Sequence, residues 1–383
     1  MNKKILLALP LAGMMLSSCN ASAGLPRGYK VVDMNDTAQA LAYGAKVAKC
    51  LDESYKGALS EGFTLKLHVE VHDFVYEDLN VYEDIETQWG SYDIDDSSID
   101  CLEVDLLKLD LEIKAAHLNE TISNMQLSVK IKNLTIQGTA HIDSVSGKID
   151  CKGVDLAIYA HNGNVYADLT DKELLDLANQ VLPIVFGEET IETNAYKAIA
   201  KIVTNDRYYV KDFPSLFGLN NLFVIPFSKL DPEFLDEVSY TVIEFANFCN
   251  NEQRLNGIVT FADYDDGRIG IEGKAKFDDM ILDEYDKGEE TQIESLTMDA
   301  SAYALANRKT RLECVHVEGA AKYYSHEDNF TTSKTGEEHV LYNSYTTTIK
   351  GTAEVDLVIR YGVDDIRFPK DSKFLELPVS FFF

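Results

Sequence analysis

The chain is short of positive charge. Its 383 residues include 35 Lys and Arg against 64 Asp and Glu, which leaves a formal net charge of -29. A surface this acidic repels phosphate backbones, so we expect no nucleic-acid partner. The same charge opposes lying flat on an anionic lipid surface. Acidity of this kind commonly serves solubility, and it identifies no ligand by itself.

Signatures of catalysis are also missing. The sequence contains no nucleophile elbow, no His-Glu-x-x-His helix and no phosphate loop, so we expect neither a cofactor nor an enzymatic activity. The many acidic residues offer chance carboxylate pairs, which leaves a hydrolase as an alternative without a named catalytic residue. Trp89 is the only tryptophan, so an aromatic platform for carbohydrate gains little support.

Long hydrophobic runs are confined to the beginning of the chain. The run ILLALPLAGMMLSS, residues 5–18, follows Lys3 and Lys4 and ends in small residues. This is the three-part form of a secretory signal peptide. It is too short for a membrane span, which needs about 20 apolar residues. We therefore predict that residues 1–18 are removed and that the mature protein is exported.

The leader ends in Leu16-Ser17-Ser18-Cys19. This segment resembles the lipobox of bacterial lipoproteins, in which an aliphatic residue and two small residues precede a cysteine. The resemblance implies that Cys19 becomes the N-terminus and carries acyl chains such as palmitate. Each buried methylene is worth about 0.8 kcal/mol, so two or three chains would give a lasting membrane anchor in the cell envelope, on the periplasmic or surface side. A competing cleavage site, residues 21–23, would leave Gly24 first and without lipid.

Six cysteines are present, and acylation of Cys19 would leave an odd number. At least one of the remainder would then be a free thiol or pair with another molecule. No spacing indicates a zinc knuckle or a redox pair. An exported protein can form one or two disulfides, and the sequence leaves their pairing open. The remaining cysteines are Cys50, Cys101, Cys151, Cys249 and Cys314.

Hydrophobic periodicity predicts helices and strands in alternating blocks. A helix is predicted after Asp36, which is a suitable N-cap. From Phe63 the period changes to two, and the same alternation returns in several later segments. Asn162-Gly163 and Asp266-Gly267 predict tight hairpins because these residues tolerate positive φ. The later alternating segments are 107–113, 127–131, 154–158, 269–277 and 349–359.

Three further helices are predicted between the two blocks of strands. Thr170 and Glu173 have the spacing of a capping box at the start of the first. The second is expected from Glu188 to Val203. Asp231, followed by proline, predicts the N-cap of the third.

Strict alternation of apolar and polar residues is typical of antiparallel sheets that have one solvent-exposed face. The apolar face must be covered. We therefore predict an α+β fold dominated by β structure, with curved antiparallel, half-barrel-like sheets packed against a few amphipathic helices. This build resembles the half-barrel lipoproteins and periplasmic carriers of the LolA and LppX type. That resemblance implies a concave apolar face that holds acyl chains.

The order of elements also predicts a domain organisation. After a tether over residues 19–36, we expect a first helix-plus-sheet module over 37–230 and a second over 231–383. The alternative is one continuous domain over 37–383.

His68, Glu70 and His72 project from one face of a predicted strand. Neighbouring members lie about 6.6 Å apart along the strand, and the two histidines lie about 13 Å apart. One ion cannot bind both histidines, so a metal would need ligands from another strand. A polar sheet face is the simpler interpretation, and we predict no metal site, with these three residues as weak candidates.

Together these features predict a membrane-anchored lipoprotein of the cell envelope. We expect a non-enzymatic protein that binds an apolar ligand or an envelope protein. A structural or adhesive protein without a small-molecule ligand and an envelope hydrolase are the alternatives.

Overall fold

The computed structural model describes residues 24–86, 96–142, 145–187, 190–204, 206–219, 221–225, 229–251, 256–286, 290–332, 339–363 and 366–377. None of the helices in these ranges has both the length and the apolar character needed to cross a bilayer.

The described part of the chain forms thirteen strands, five helices and one short 3₁₀ turn, Asp371–Lys373. The strands are β1 Tyr29–Val31, β2 Phe63–Glu86, β3 Asp96–Ala116, β4 Gln126–Ile142, β5 Val145–His161, β6 Asn164–Leu169, β7 Asp206–Val210, β8 Asn256–Tyr264, β9 Ile269–Asp286, β10 Glu290–Ala306, β11 Leu312–Thr332, β12 His339–Tyr361 and β13 Leu375–Glu376. The helices are α1 Thr37–Glu61, α2 Glu173–Phe186, α3 Ile191–Val203, α4 Phe213–Leu216 and α5 Pro232–Asn251.

All thirteen strands belong to one sheet with the order β1-β8-β9-β10-β11-β12-β2-β3-β4-β5-β6-β7-β13. Every pair is antiparallel except β13 with β7. Strands β2 to β7 form an N-terminal meander, and β8 to β12 form a C-terminal meander. The two join where β12 pairs with β2, from the Phe63–Tyr361 partners to the Glu86–His339 partners. The sheet is open and half-barrel-like, which confirms the predicted α+β fold dominated by β structure.

The strands of the two predicted modules, 37–230 and 231–383, are therefore neighbours in a single sheet. The β12–β2 pairing is as long as any pairing within either meander. The boundary between the modules stays a prediction.

Bulges interrupt the long strands near their middle. Registers shift opposite Asp73 in β2, at Gly351 in β12 and beside Asp279 in β9. Asp73 and Asp279 have φ of 51° and 55°, in the left-handed region that aspartate tolerates better than most residues. A bulge bends its strand and increases the local twist, so this line of bulges accounts for curvature across the sheet.

Helix α1 begins as predicted, with the Asp36 carboxylate accepting hydrogen bonds from the backbone N–H groups of Ala38 and Gln39. It packs on the C-terminal meander, where the Tyr43 hydroxyl donates to the Gly270 carbonyl at 2.6 Å. It also crosses α5 very closely at Gly44. A Cβ at this position would lie 2.7 Å from the backbone oxygen of Ser239, so only glycine fits without a shift of the helices.

Helix α2 covers an exposed sheet edge. Strand β6 pairs with only the last residues of β5, which leaves the earlier part of β5 without a strand on the edge opposite β4. The Gln180 side chain accepts a hydrogen bond from the Asp150 N–H at 2.7 Å, and Asp171 accepts one from the Asp155 N–H at 2.7 Å. Because open edges invite pairing with other chains, this helix protects β5.

The other local predictions had mixed outcomes. Asn162 and Gly163, with φ of 50° and 73°, form the predicted turn between β5 and β6. The predicted capping box at Thr170 is wrong, because its hydroxyl donates to Asp168 and the Asp171 carboxylate accepts from the Glu173 N–H at the start of α2. Asp231 caps α5 as expected by accepting from the Glu233 N–H.

The Asp266-Gly267 turn between β8 and β9 is also present. The second predicted helix begins later than expected. Its first residue is Ile191, and the Thr190 side chain caps it.

The segment Gly24–Gly28, here named the N-terminal strap, lies on the sheet opposite the helices. Leu25 is buried against Tyr264 and Leu305. Successive strand residues point to opposite faces, so Phe261 of β8 faces α1 while Ala262 faces the strap. We name these the helix face and the strap face. The described part of the predicted tether, from Gly24 onward, thus packs against the sheet.

Candidate functional site

One row of apolar side chains crosses nine strands on the helix face. Cross-strand partners on an antiparallel sheet point to the same side, so the register alone defines the row. We name it the apolar row. Its members, from β8 to β5 in sheet order, are Phe261, Ile271, Ala304, Val315, Leu357, Leu67, Leu111, Ile131 and Leu156.

Helix α1 packs on the β8 end of this row, and its last turns reach β3, where Leu59 is buried against Ala115. Phe261 is 3% exposed beneath α1, and Ile271 packs against the same cluster together with Val242 of α5. The middle is different, since no side chain of β2 between residues 63 and 81, or of β3 between 100 and 114, is buried. The two strands at the centre of the sheet therefore have partly exposed side chains on both faces.

We name this partly exposed centre of the helix face the central trough. Its floor is aliphatic and carries no hydrogen-bonding group, so it suits an apolar chain rather than a polar ligand. Covering apolar surface contributes roughly 25 cal/mol per Å². The trough is lined by Leu65, Leu67 and Val69 of β2, Leu109 and Leu111 of β3, Val129 and Ile131 of β4, and Leu357 of β12.

The strap face behind the trough is polar. A depression of about 250 Å³ there is lined by charged side chains that include Lys66, Glu112 and Arg360. The two faces of β2 and β3 therefore offer opposite chemistries at the same place in the sheet.

Titratable residues line up across the strap face. His68 and Asp110 are cross-strand partners, and His68 Nδ1 lies 2.7 Å from Asp110 Oδ1. On the other side of His68 follow Asp356 of β12 and His316 of β11, both buried. His316 Nδ1 and Asp356 Oδ1 are 3.7 Å apart, too far for a hydrogen bond, and among the described residues neither atom has another partner.

Burial disfavours the ionised form of Asp356. Burial raises the pKa of Asp356, the nearby Glu354 carboxylate adds to the rise, and His316 opposes it. The sequence did not single out His316 or Asp356. Each occupies an ordinary polar position in an alternating strand, and only the strand register places them side by side.

The predicted candidates His68, Glu70 and His72 do share the strap face. Glu70 oxygens lie 3.0 Å from His72 Nε2 and 3.0 Å from Lys108 Nζ, and 3.4 Å from His68 Nε2. The Lys108 hydrogen bond lowers the pKa of Glu70, and His72 acts in the same direction. Nowhere in the described ranges do three His, Cys, Asp or Glu side chains converge as a metal ion would require.

The thiols of the described cysteines are expected to be unreactive. Cys50, Cys101 and Cys151 are not in disulfides. Burial raises the pKa of the Cys50 thiol to about 11, and it also raises the pKa of Cys151. Thiolates are the reactive form of cysteine, so these side chains are poor nucleophiles at neutral pH. Cys19 and the thiol of Cys249 lie outside the described residues and side chains.

A second apolar surface lies on the hairpin of α2 and α3. The Phe186 and Tyr196 rings stack at 4.9 Å, and both remain more than a third exposed. Ile191, at the start of α3, is 86% exposed. The hairpin thus presents large apolar side chains to solvent beside the β5 edge of the sheet.

No family model matches this chain, and none of the curated proteins matches its sequence. The geometry by itself defines a class: an open, half-barrel-like antiparallel sheet whose helices leave an aliphatic trough at its centre.

Proposed function

We propose that this protein is an exported, lipid-anchored protein of the bacterial cell envelope that binds an apolar ligand in the central trough. The observation that carries the proposal is the partial exposure of the aliphatic side chains in the middle of the apolar row. Leu67 and Leu111 belong to the same row as buried Phe261, yet neither is buried. A ligand with an aliphatic chain would cover them.

The energetics favour such a ligand. Full burial of a Leu or Val side chain contributes about 1.5–3 kcal/mol, and completing the burial of several half-exposed ones contributes a comparable sum. The trough offers no polar group that would orient a head group, so the expected ligand class is defined by its hydrocarbon, as in an acyl chain. The polar strap face and the net charge of -29 keep the rest of the molecule in water.

The anchor is tested by the N-terminus of the mature protein. We expect mass spectrometry of membrane-extracted protein to find Cys19 as the first residue with acyl chains attached. Cys19→Ala should move the protein from the membrane fraction to the soluble fraction. A mature start at unmodified Gly24 would refute the anchor.

The trough is tested by two substitutions at adjacent positions. Leu67 faces the trough, whereas Lys66 faces the strap side of the same strand. We expect Leu67→Asp to weaken binding of a fluorescent fatty acid by at least about tenfold, because a charge then lies where the chain would pack. The matched control, Lys66→Asp, should bind as the wild type does.

Lipid extraction from protein purified without detergent gives an independent readout, with hydrocarbon-chain lipids expected from the wild type and fewer from Leu67→Asp. Circular dichroism would verify that both variants fold. Equal binding by both variants would place the ligand elsewhere and remove the central trough from the proposal.

A second candidate is binding of a protein partner through the α2–α3 hairpin. Its support is the exposure of Ile191 and Ile199, at 86% and 49%. Ile191→Ser with Ile199→Ser should abolish a specific cross-link formed in cells while leaving fatty-acid binding intact. A structural or adhesive protein and an envelope hydrolase remain alternatives without a supporting site.

A further inference from the structure

The N-terminal strap is held firmly where it meets the sheet. The Leu25 N–H donates to Glu272 at 3.4 Å, and the Tyr264 hydroxyl donates to the Pro26 carbonyl at 2.7 Å. If Cys19 carries the lipid, as the proposed function has it, only five residue steps separate the anchor from Gly24. A fully extended chain covers at most about 18 Å in that distance, so the membrane surface must lie close to this corner of the sheet.

The turns beside the strap carry a group of cations. Arg268 follows the β8–β9 turn, and its guanidinium lies 4.5 Å from the centre of the Tyr264 ring, which also contacts the strap. Arg308, Lys309 and Arg311 belong to the β10–β11 turn. We name these four residues the basic rim. They line a depression of about 440 Å³ together with Glu61, Asn307, Glu313 and Tyr361.

The basic rim is an electrostatic exception. Arg268 and Arg308 share Asp266, and Arg311 pairs with Glu61 at 2.8 Å. With Glu313 also present and Glu53 acting on Arg311, four cations face four acids, a local balance near zero in a chain of net charge -29. No carboxylate of the described residues lies within ion-pair distance of Lys309. This end of the molecule is therefore the one that an anionic surface repels least.

Arg311 is the best-positioned member of the group. Its side chain is 11% exposed, and the guanidinium lies 5.2 Å from the Tyr361 ring centre, with α1 against it at Gly57. Nε and Nη1 are buried without a hydrogen-bond partner among the described residues. A cation left with unused donors retains an attraction for an anionic oxygen.

Neither face of the sheet is suited to lie flat on lipid. The strap face carries several acidic side chains, such as Glu70, Asp110 and Glu354, which anionic headgroups repel. On the helix face, α1 and α5 pack on the sheet and would hold its strands away from a flat bilayer. Tyr361 at the rim pairs with Phe63, so β2 runs away from the rim for 24 residues, about 75 Å.

We propose that the basic rim faces the bilayer and contacts anionic phospholipid headgroups, so that the sheet stands upright with its far strand ends directed away from the membrane. Because Cys19 is at most about 18 Å from the strap, the end of the sheet beside the strap must be the end nearest the membrane. The basic rim at that end carries little net negative charge, so anionic headgroups repel it only weakly. The central trough is then held at a height above the lipid rather than pressed against it.

The single tryptophan makes the test direct. Tyr345 of β12 pairs with Asn80 of β2 toward the far end of the sheet and is 41% exposed, so Trp89→Phe with Tyr345→Trp gives the far reporter. Trp89→Phe with Val31→Trp moves the reporter to β1 beside the strap, where Val31 is 67% exposed and no rim charge changes. Acylated full-length protein extracted from membranes would be reconstituted in phosphatidylglycerol–phosphatidylcholine vesicles carrying a dansyl headgroup lipid.

We expect energy transfer to the headgroup dye to be about fivefold or more greater from Val31→Trp than from Tyr345→Trp, because the reporters differ in height by tens of ångströms. Equal transfer from both positions would overturn the upright orientation. Mass spectrometry of the same sample reports the acylation of Cys19 separately, so a failed anchor and a wrong orientation give different results.

Charge reversal tests the headgroup contact. In the Val31→Trp background, Arg308→Glu with Lys309→Glu should lower transfer about twofold in anionic vesicles and leave it unchanged in pure phosphatidylcholine. Lys322→Glu with Lys350→Glu makes the same charge change on partner residues of β11 and β12 away from the rim, and should have no effect. If both double variants behave alike, the rim does not contact anionic headgroups.

Discussion

The two halves of the sheet share one apolar row, yet they differ in how deeply their strands bury hydrophobic side chains. In the C-terminal meander every strand carries at least one buried hydrophobic side chain: Phe261, Ile269, Met298, Val317 and Val355 are examples from β8 to β12. In the central strands of the N-terminal meander, residues 63–81 of β2 carry none, and β3, among its described side chains, carries them only at its end, Ala115 and Ala116, next to α1. An alternating pattern thus identifies the apolar face of a strand but does not show whether anything covers it.

The difference follows from where the helices are placed. Helices α1 and α5 cross at Gly44 and together cover β8 and β9. Helix α2 lies along the open edge of β5 instead of over the centre of the sheet. The last turns of α1 reach β3 only near Ala115, so Leu67 and Leu111 in the middle of the row stay partly exposed.

The largest effect should come from truncating the covered end of the apolar row. Phe261→Ala should lower the free energy of unfolding by about 3–4 kcal/mol, because it opens a cavity beneath α1. Leu67→Ala, in the same row but in the trough, should cost less, about 1–2 kcal/mol, because Leu67 stays partly exposed and part of its transfer energy is not gained on folding. Urea unfolding of ligand-free protein measures both.

Addition of a fatty acid sharpens this comparison. It should raise the unfolding midpoint of the wild type more than that of Leu67→Ala. Equal costs for the two truncations in ligand-free protein would mean that the trough is already covered, and the contrast between the meanders would fail.

A smaller effect is expected at the helix crossing. Gly44→Ala should destabilise by about 1–3 kcal/mol, because a Cβ there would lie 2.7 Å from the Ser239 backbone oxygen. Gly273→Ala in β9 is the control, because a Cβ at this position would lie 3.9 Å from its nearest neighbour, a side-chain carbon of Val259. Thermal unfolding of the two variants should separate them clearly. Similar melting temperatures would show that α1 and α5 do not cross closely.

Asp356→Asn should stabilise the protein by about 1 kcal/mol at neutral pH, because an amide carries no charge to bury. The folded protein raises the pKa of Asp356, so it binds this proton more tightly than the unfolded chain does. Wild-type stability is therefore lost as pH rises through the folded pKa, and the advantage of the variant should shrink as pH falls. A constant difference across an acid titration would contradict this account.

The smallest effect should come from Glu70 on the exposed strap face. Its lowered pKa means that the stability it contributes is present above the ordinary glutamate range and is lost as pH falls through the folded pKa. Because the side chain is 25% exposed, Glu70→Gln should cost only about 0.5 kcal/mol at neutral pH, less in high salt. A cost near that of Phe261→Ala would indicate that this face is covered after all.

Much of the local structure could be predicted from the sequence. The Asp36 cap, the Asn162-Gly163 turn and the alternation from Phe63 depend on neighbouring residues, whose preferences act over a few positions. The capping box at Thr170 failed because Asp168, two residues earlier, binds the same hydroxyl. Even short-range patterns therefore mislead where two local partners compete.

What the sequence determined by itself was the identity of the elements and the face of each strand that is apolar. Only the tertiary structure decided that β12 pairs with β2, that His316 lies beside Asp356, and that the helices leave Leu67 and Leu111 partly exposed. The physical reason is that strand register and helix placement are set by contacts between residues hundreds of positions apart, whereas hydrophobic periodicity records only the side on which a residue prefers to lie.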